Sequence, residues 1–222
     1  MSGTLARRAA AEFTGTAFLV AAVVGSGIAA VRLSPGQTGL ELLENSLATG
    51  AALTALILAL QPVSAAFNPV VTLIERALGA ITSREAAALI AAQLGGGILG
   101  SVAANVMFGL APVTWSGHYR AGAGLWLGEV IATLGLVVVI FGTVRSGRAP
   151  HAGYAVGGYI AAAYWFTSST SFANPAVTIG RMFTASFAGI APASAPLFIA
   201  TQLTGGLAGY GAPAAPEPAP GR

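Results

Sequence analysis

The sequence contains no cysteine, no lysine and no aspartate. Without cysteine there is no disulfide framework, no thiolate nucleophile and no Cys-based metal site, and the redox compartment leaves no mark on the chain. Histidine occurs only at His118 and His151, too few and too far apart for a metal site. Charge is also scarce, at 8% of residues, where a soluble globular chain carries about a quarter. All ten basic residues are Arg and all seven acids are Glu, for a net charge of +3. That excess, with a pI near 9.8, does not make a nucleic-acid binder: no basic cluster exceeds the pair Arg7-Arg8, so there is no basic stripe to follow a phosphate backbone.

What fills the chain is apolar. Of 222 residues, 55% are hydrophobic, too many for a water-covered surface, so lipid must cover much of it. A bilayer core needs about 20 mostly apolar residues per spanning helix. Six stretches qualify, roughly 11–31, 46–65, 86–108, 125–144, 153–171 and 193–211. The first carries Glu12 early and no cleavage-like site after it, so it reads as a retained span rather than a signal peptide. Residues 1–10 precede the spans as a cytoplasmic N-terminus. Residues 212–222, rich in Pro and Ala, read as a disordered tail. Between them lies one channel-like domain, 11–211.

That domain repeats itself. Glu12-Phe13-Thr14-Gly15-Thr16 recurs as Glu129-Val130-Ile131-Ala132-Thr133, at an offset of 117 residues. Phe67-Asn68-Pro69-Val70-Val71-Thr72 recurs as Ala173-Asn174-Pro175-Ala176-Val177-Thr178, at an offset of 106. Gln93 and the glycines behind it recur at Gln202, at an offset of 109. Three landmarks keep their order while the loops between them differ. The repeats are 11–108 and 125–211. Each holds three spans, an odd number, so the second enters the membrane inverted, and a functional site belongs at the interface of the repeats near the midplane. The arginines orient the whole: with both termini cytoplasmic, Arg7, Arg8, Arg76, Arg84, Arg145, Arg148 and Arg222 lie inside against Arg32, Arg120 and Arg181 outside.

Two segments, 68–79 and 174–185, are apolar but too short to cross. Each opens on Asn-Pro, a helix-start signal: Asn caps, and Pro suits the first helical position, where its missing N–H costs nothing. At about eleven residues each, roughly 16 Å long, two such half-helices entering from opposite faces span a core of about 30 Å. Their N-termini then meet at the centre and direct two positive dipole ends at one spot. Non-helical backbone at that depth must be buried in protein or line a watery cavity. The pattern therefore predicts a pore with Asn68 and Asn174 at its middle, their amides donating to a passing neutral oxygen.

Asn68-Pro69-Val70 and Asn174-Pro175-Ala176 resemble the paired Asn-Pro-Ala boxes of aquaporins, the major intrinsic protein family; the second is intact and the first has Val for Ala. The resemblance covers residues 11 to 211 and implies an all-α membrane protein with six transmembrane helices plus two re-entrant half-helices in two inverted repeats. It implies a passive channel with no catalytic residue, cofactor or metal, assembled as a homotetramer in, for a bacterium, the inner membrane. It further implies that Glu12 and Glu129 hold the half-helix loops through backbone N–H groups, with Gln93 and Gln202 beside them. Snorkelling carboxylates at the span ends are the alternative for the two Glu. The glycines of the third and sixth spans read as close-packing sites.

In that family a constriction on the extracellular side of the boxes sets selectivity. Transferred by spacing without gaps, its positions are Ala48 (or Thr49, one residue on), Ala162, Ser171 and Val177. Water-selective relatives resemble one another in an aromatic, a His and an Arg there. Here Val177 stands for the Arg, and Ala66 replaces a His two residues before the first Asn. Arg181, a full turn beyond Val177, is expected to fall short of the ring. Pore width, lining donors and electrostatic barriers decide what such a channel passes, so a small-sided ring favours neutral solutes larger than water. Glycerol, urea and undissociated metalloid acids such as arsenous acid (arsenite) are the candidates, and bacterial members lacking this Arg resemble those associated with arsenic resistance.

Trp115 and Tyr119 suit an interfacial aromatic belt, and Tyr154, Tyr159, Tyr164 and Trp165 read as packing around the fifth span. His151 beside Arg145 and Arg148 is a weaker candidate for a pH gate. A secondary transporter also uses inverted repeats and broken helices, but it needs ionisable coupling residues at mid-membrane, and the spans offer only Glu12 and Glu129 near their ends. An intramembrane enzyme needs a Ser/His, paired-Asp or His/Glu constellation that this chain does not supply.

Overall fold

In a computed structural model, which describes residues 3–211, eight helices and two short 3-10 turns account for the regular structure, with no strand among the described residues. In chain order the helices are α1 (Leu5–Leu33), α2 (Thr38–Leu60), α3 (Pro69–Ala77), α4 (Ser83–Met107), α5 (Ala123–Arg145), α6 (Ala152–Phe166), α7 (Pro175–Gly180) and α8 (Ala195–Gly211). α1, α2, α4 and α5, of 29, 23, 25 and 23 residues, are long and apolar enough to cross a membrane by length and composition alone. α6 and α8, at 15 and 17 residues, span roughly 22 and 26 Å at 1.5 Å per residue. The tail expected over 212–222 lies outside the described residues.

The six long helices occupy the six predicted stretches, with shifted ends. α1 and α2 begin earlier than hydropathy indicates, with polar first turns. In α1 the N-cap Thr4 accepts the Arg7 N–H. In α2, whose cap residue Gln37 makes no side-chain cap bond, Glu41 of the first turn accepts the Gly36 N–H at 3.1 Å. α2 stops at Leu60, short of residue 65, since Pro62 two residues on cannot continue a helix. α6 stops at Phe166, and 167–173 form a loop instead of the end of a span. The half-helices are shorter than their sequences suggest, nine residues in α3 and six in α7. α7 tightens into a 3-10 turn, Arg181–Phe183, directly after Gly180. There a β-carbon would meet the Gly97 carbonyl oxygen at 2.6 Å.

α1 packs chiefly on α4, α5 on α8 and α2 on α6. The first two contacts are equivalent across the repeat. A β-carbon on Gly96 would lie 2.3 Å from the Phe13 carbonyl oxygen, and one on Gly205 would lie 2.3 Å from that of Val130. Helices that must associate without a hydrophobic drive from solvent do so through such backbone approach at small residues. The inward faces of α1, α2, α5 and α6 then form the main apolar cluster, with Leu19, Val23, Leu53, Ile57, Leu136 and Ile160 among its members. α3 and α7 are threaded into the bundle from its two ends and touch one another.

Candidate functional site

Each half-helix starts on the same local device. Asn68 accepts the Val70 N–H at 3.0 Å, and Asn174 accepts those of Ala176 and Val177 at 2.9 and 3.3 Å. Each amide nitrogen crosses to the other repeat: Asn68 Nδ2 donates to the Ala173 carbonyl at 2.8 Å, and Asn174 Nδ2 to that of Phe67 at 2.7 Å. The carbonyls face this way because Phe67 and Ala173 both take left-handed backbone, with φ 47° and 49°. For residues with a β-carbon that conformation costs roughly 1–2 kcal/mol each. Such strain persists only where the surroundings over-determine it.

The surroundings are two buried carboxylates. Glu12 accepts the Ala66 and Phe67 N–H groups at 2.9 and 2.7 Å and the Ser64 hydroxyl at 2.5 Å. Glu129 accepts the Phe172 and Ala173 N–H groups, both at 2.9 Å. Gln93 Nε2 bridges Glu12 and Thr72, both at 2.8 Å. Gln202 Nε2 bridges Glu129 and Thr178 at 2.6 and 2.8 Å. Glu12, Glu129, Gln93, Gln202, Thr72 and Thr178 have no exposed surface. The two Glu are therefore fully enclosed behind the loops and do not snorkel at the span ends. Thr72 and Thr178 close the repeated box segments, but nothing local in the sequence assigns them this role as partners of the two glutamines.

Beside these loops runs a cavity of about 400 Å³ that reaches from Arg8, Gln61, Ser64 and Glu75 at one end to Tyr164, Phe172 and Arg181 at the other. Asn68 and Asn174 lie along it. Pro69, Val70, Pro175 and Ala176 are buried behind it rather than lining it. Each Asn amide has two donor hydrogens and spends one on the crossed bond. The other makes no hydrogen bond among the described residues.

Of the residues predicted for the constriction, Thr49, Ser171 and Val177 line the cavity, while Ala48 and Ala162 do not. Ala162 is exposed on the outer face of α6, and Ala48 is half-buried beside Thr49. On α2 the second of the two expected positions, Thr49, lines the cavity; on α6 the lining position is two residues beyond Ala162, at Tyr164. The Tyr164 hydroxyl lies 3.3 Å from the Thr49 hydroxyl. Arg181 also lines the cavity, contrary to the expectation that it falls short. A residue four positions on occupies the same helix face, and its Cα–Cβ bond tilts toward the helix N-terminus, so a long side chain covers the preceding turn. The cavity end is thus neither small-sided nor free of arginine. The expected aromatic-belt residues Trp115 and Tyr119 are exposed.

Arg120, in the connection between α4 and α5, approaches the same region from outside. Its Nε donates to the Gly189 carbonyl at 3.1 Å, and its Cζ lies 5.1 Å from the Phe172 ring centroid. Burial lowers its pKa from the ordinary value. His118 contributes only its backbone here, its carbonyl accepting the Ala191 N–H at 2.8 Å. Among the described residues no group of His, Asp or Glu is arranged to hold a metal.

The sequence profile of the major intrinsic protein family matches residues 1–168. Over 204 residues the chain is 47% identical to the aquaglyceroporin AqpS of Rhizobium meliloti (strain 1021), covering 91% of this chain and 87% of that one. The fold is similar to the X-ray structure of the aquaglyceroporin from Plasmodium falciparum, with a TM-score of 0.73 at 18% identity over 93% of this chain and 94% of that one.

Proposed function

The chain belongs to the major intrinsic protein family, and on that premise we propose that it passes water, glycerol-type polyols and undissociated metalloid acids such as arsenous acid. The family is one of membrane channels for small neutral solutes. The observation that carries the finer reading is the crossed pair Asn68–Ala173 and Asn174–Phe67 beside the cavity. It holds two amide donors in fixed directions at the point where two repeats meet. A hydroxyl oxygen that gives up water there finds a replacement donor, which limits the desolvation cost. Arsenous acid presents three hydroxyls on a neutral centre and so meets the same donors as glycerol. The relative from Rhizobium meliloti carries the name aquaglyceroporin, which favours solutes larger than water.

In this reading Thr49, Ser171 and Val177 belong to the selectivity constriction, and Glu12, Glu129, Gln93 and Gln202 support the half-helices. Both termini are cytoplasmic, the Arg181 end of the cavity is the extracellular mouth, and the protein is a homotetramer in the bacterial plasma membrane. The arginines favour that orientation, seven on the side assigned to the cytoplasm against Arg32, Arg120 and Arg181 on the other. Of the seven, Arg8 pairs with Glu85 and Arg76 donates to Ser83.

The test is flux through Asn68→Leu and Asn174→Leu variants in proteoliposomes. Either change removes an N-cap acceptor, worth about 1 kcal/mol, and the crossed bond to a buried carbonyl of the other repeat, worth about 1–3 kcal/mol more. Less stable but folded protein is expected, with solute and water flux near background. A folded double Leu variant with full flux refutes the pore assignment. Saturating uptake that requires a proton gradient identifies a transporter instead.

A further inference from the structure

Arg181 is a cation without a counter-charge. It is 2% exposed, and no carboxylate stands within ion-pair distance of it among the described residues. Its Nε donates to the Ala188 carbonyl. Its guanidinium sits over the Phe172 ring, with Cζ 3.4 Å from the centroid, a cation–π contact that holds the group against the ring. Nη1 is buried and has no hydrogen-bond partner. Ser171 lines the same cavity, and its hydroxyl is likewise buried and unpartnered. Buried donors are nearly always satisfied, and a charged one left over is costly. Both groups belong to residues that line one cavity, as do Tyr164 and Thr49, each of which carries a hydroxyl, and together they make a polar subsite whose missing partner is an acceptor oxygen.

We infer that Arg181, held against Phe172, is the specificity-determining cation of this pore, and that with Ser171 and Tyr164 it receives a hydroxyl oxygen of a neutral polyhydroxyl solute while repelling cations. This rests on the channel reading above. It moves the charge one helical turn from Val177 and leaves the wall at 177 apolar. A solute there slides one side along a branched hydrocarbon and offers its oxygens to the other. Arginine does not deprotonate, so the barrier to cations is permanent. A hydrogen-bonding subsite of this kind also discriminates between a hydroxyl-bearing solute and the analogue lacking that hydroxyl, because its donors are then stranded.

The experiment uses full-length protein in proteoliposomes and measures glycerol flux, flux of its deoxy analogue propanediol, and Na⁺ leak. For Arg181→Gln the glycerol-to-propanediol ratio is expected to fall roughly tenfold and Na⁺ leak to rise roughly tenfold or more. Tyr164→Phe, which keeps the ring, is expected to lower the same ratio without opening a Na⁺ leak. A folded Arg181→Gln protein with both readouts unchanged overturns the inference. Should that variant fail to fold, an unchanged ratio in Tyr164→Phe, or a wild type that dissipates a Na⁺ gradient, overturns it equally. A wild type with no flux of any solute overturns the channel reading itself, whereas wild-type flux with unaltered variants overturns only the role given to Arg181.

Discussion

Val70 of the first box seats against Gly206 of α8: a β-carbon on Gly206 would come within 2.3 Å of Val70 Cγ1. In the other repeat the equivalent Gly97 faces Ala176, where a β-carbon would meet the Ala176 carbonyl oxygen at 2.7 Å. The departure from Ala in the first box therefore points away from the cavity, into a space that a glycine leaves open.

That pairing predicts coupling. Gly206→Ala overpacks the contact and is expected to destabilise by about 1–3 kcal/mol. Val70→Ala alone leaves a small void. The double variant is expected to recover much of the loss, giving a coupling of roughly 0.5–3 kcal/mol in a double-mutant cycle on thermal unfolding in detergent. Simple additivity shows that the two side chains do not share this space.

Glu129→Ala strands the Phe172 and Ala173 N–H groups and the Gln202 amide in a site with no exposed surface. Each lost partner costs about 1–3 kcal/mol, so a large fall in melting temperature is expected. Glu129→Gln keeps one acceptor oxygen and is expected to lose less. Equal stability of Glu129→Ala and wild type shows that the carboxylate does not hold the second loop.

Val177→Arg places a second guanidinium one turn from Arg181 on the same face. Like charges at that spacing repel, and the new side chain fills the apolar wall. Water flux is expected to persist while glycerol and arsenous acid flux drop to background, read by light scattering and uptake at matched protein density. Unchanged large-solute flux removes Val177 from the constriction.

The absence of native cysteine permits a clean test of orientation. Single Ala6→Cys and His118→Cys substitutions, both at exposed positions, are expected to react with an impermeant maleimide from opposite sides, Ala6 from the cytoplasmic one. Labelling of both from one side contradicts the topology.

Asn68 and Asn174 were legible because a cap followed by Pro is a local signal, and its recurrence at matching positions ties it to the repeat. Glu12 and Glu129 stood out because a carboxylate in an apolar run needs a partner, but that they hold the half-helix loops came from the family resemblance and not from the residues alone. The constriction was not legible in the same way. Which residue of α2 or α6 faces the cavity depends on rotation within the bundle, and one residue turns a side chain by 100°. Counting back from the box gave Ala162, but the loop over 167–173, with left-handed backbone at Thr170, Ser171 and Ala173, brings Tyr164 to the wall.

The amino-acid sequence alone determined the membrane setting, the helical class, the inverted repeat and the central asparagine pair, because composition, periodicity and caps act within a few residues. Tertiary structure decided which side chains line the cavity end. Ala162 turned outward, Tyr164 inward, and Arg181 reached back over the turn that carries Val177. These outcomes depend on helix rotation and on the direction of the Cα–Cβ bond in a packed bundle, which no linear spacing records.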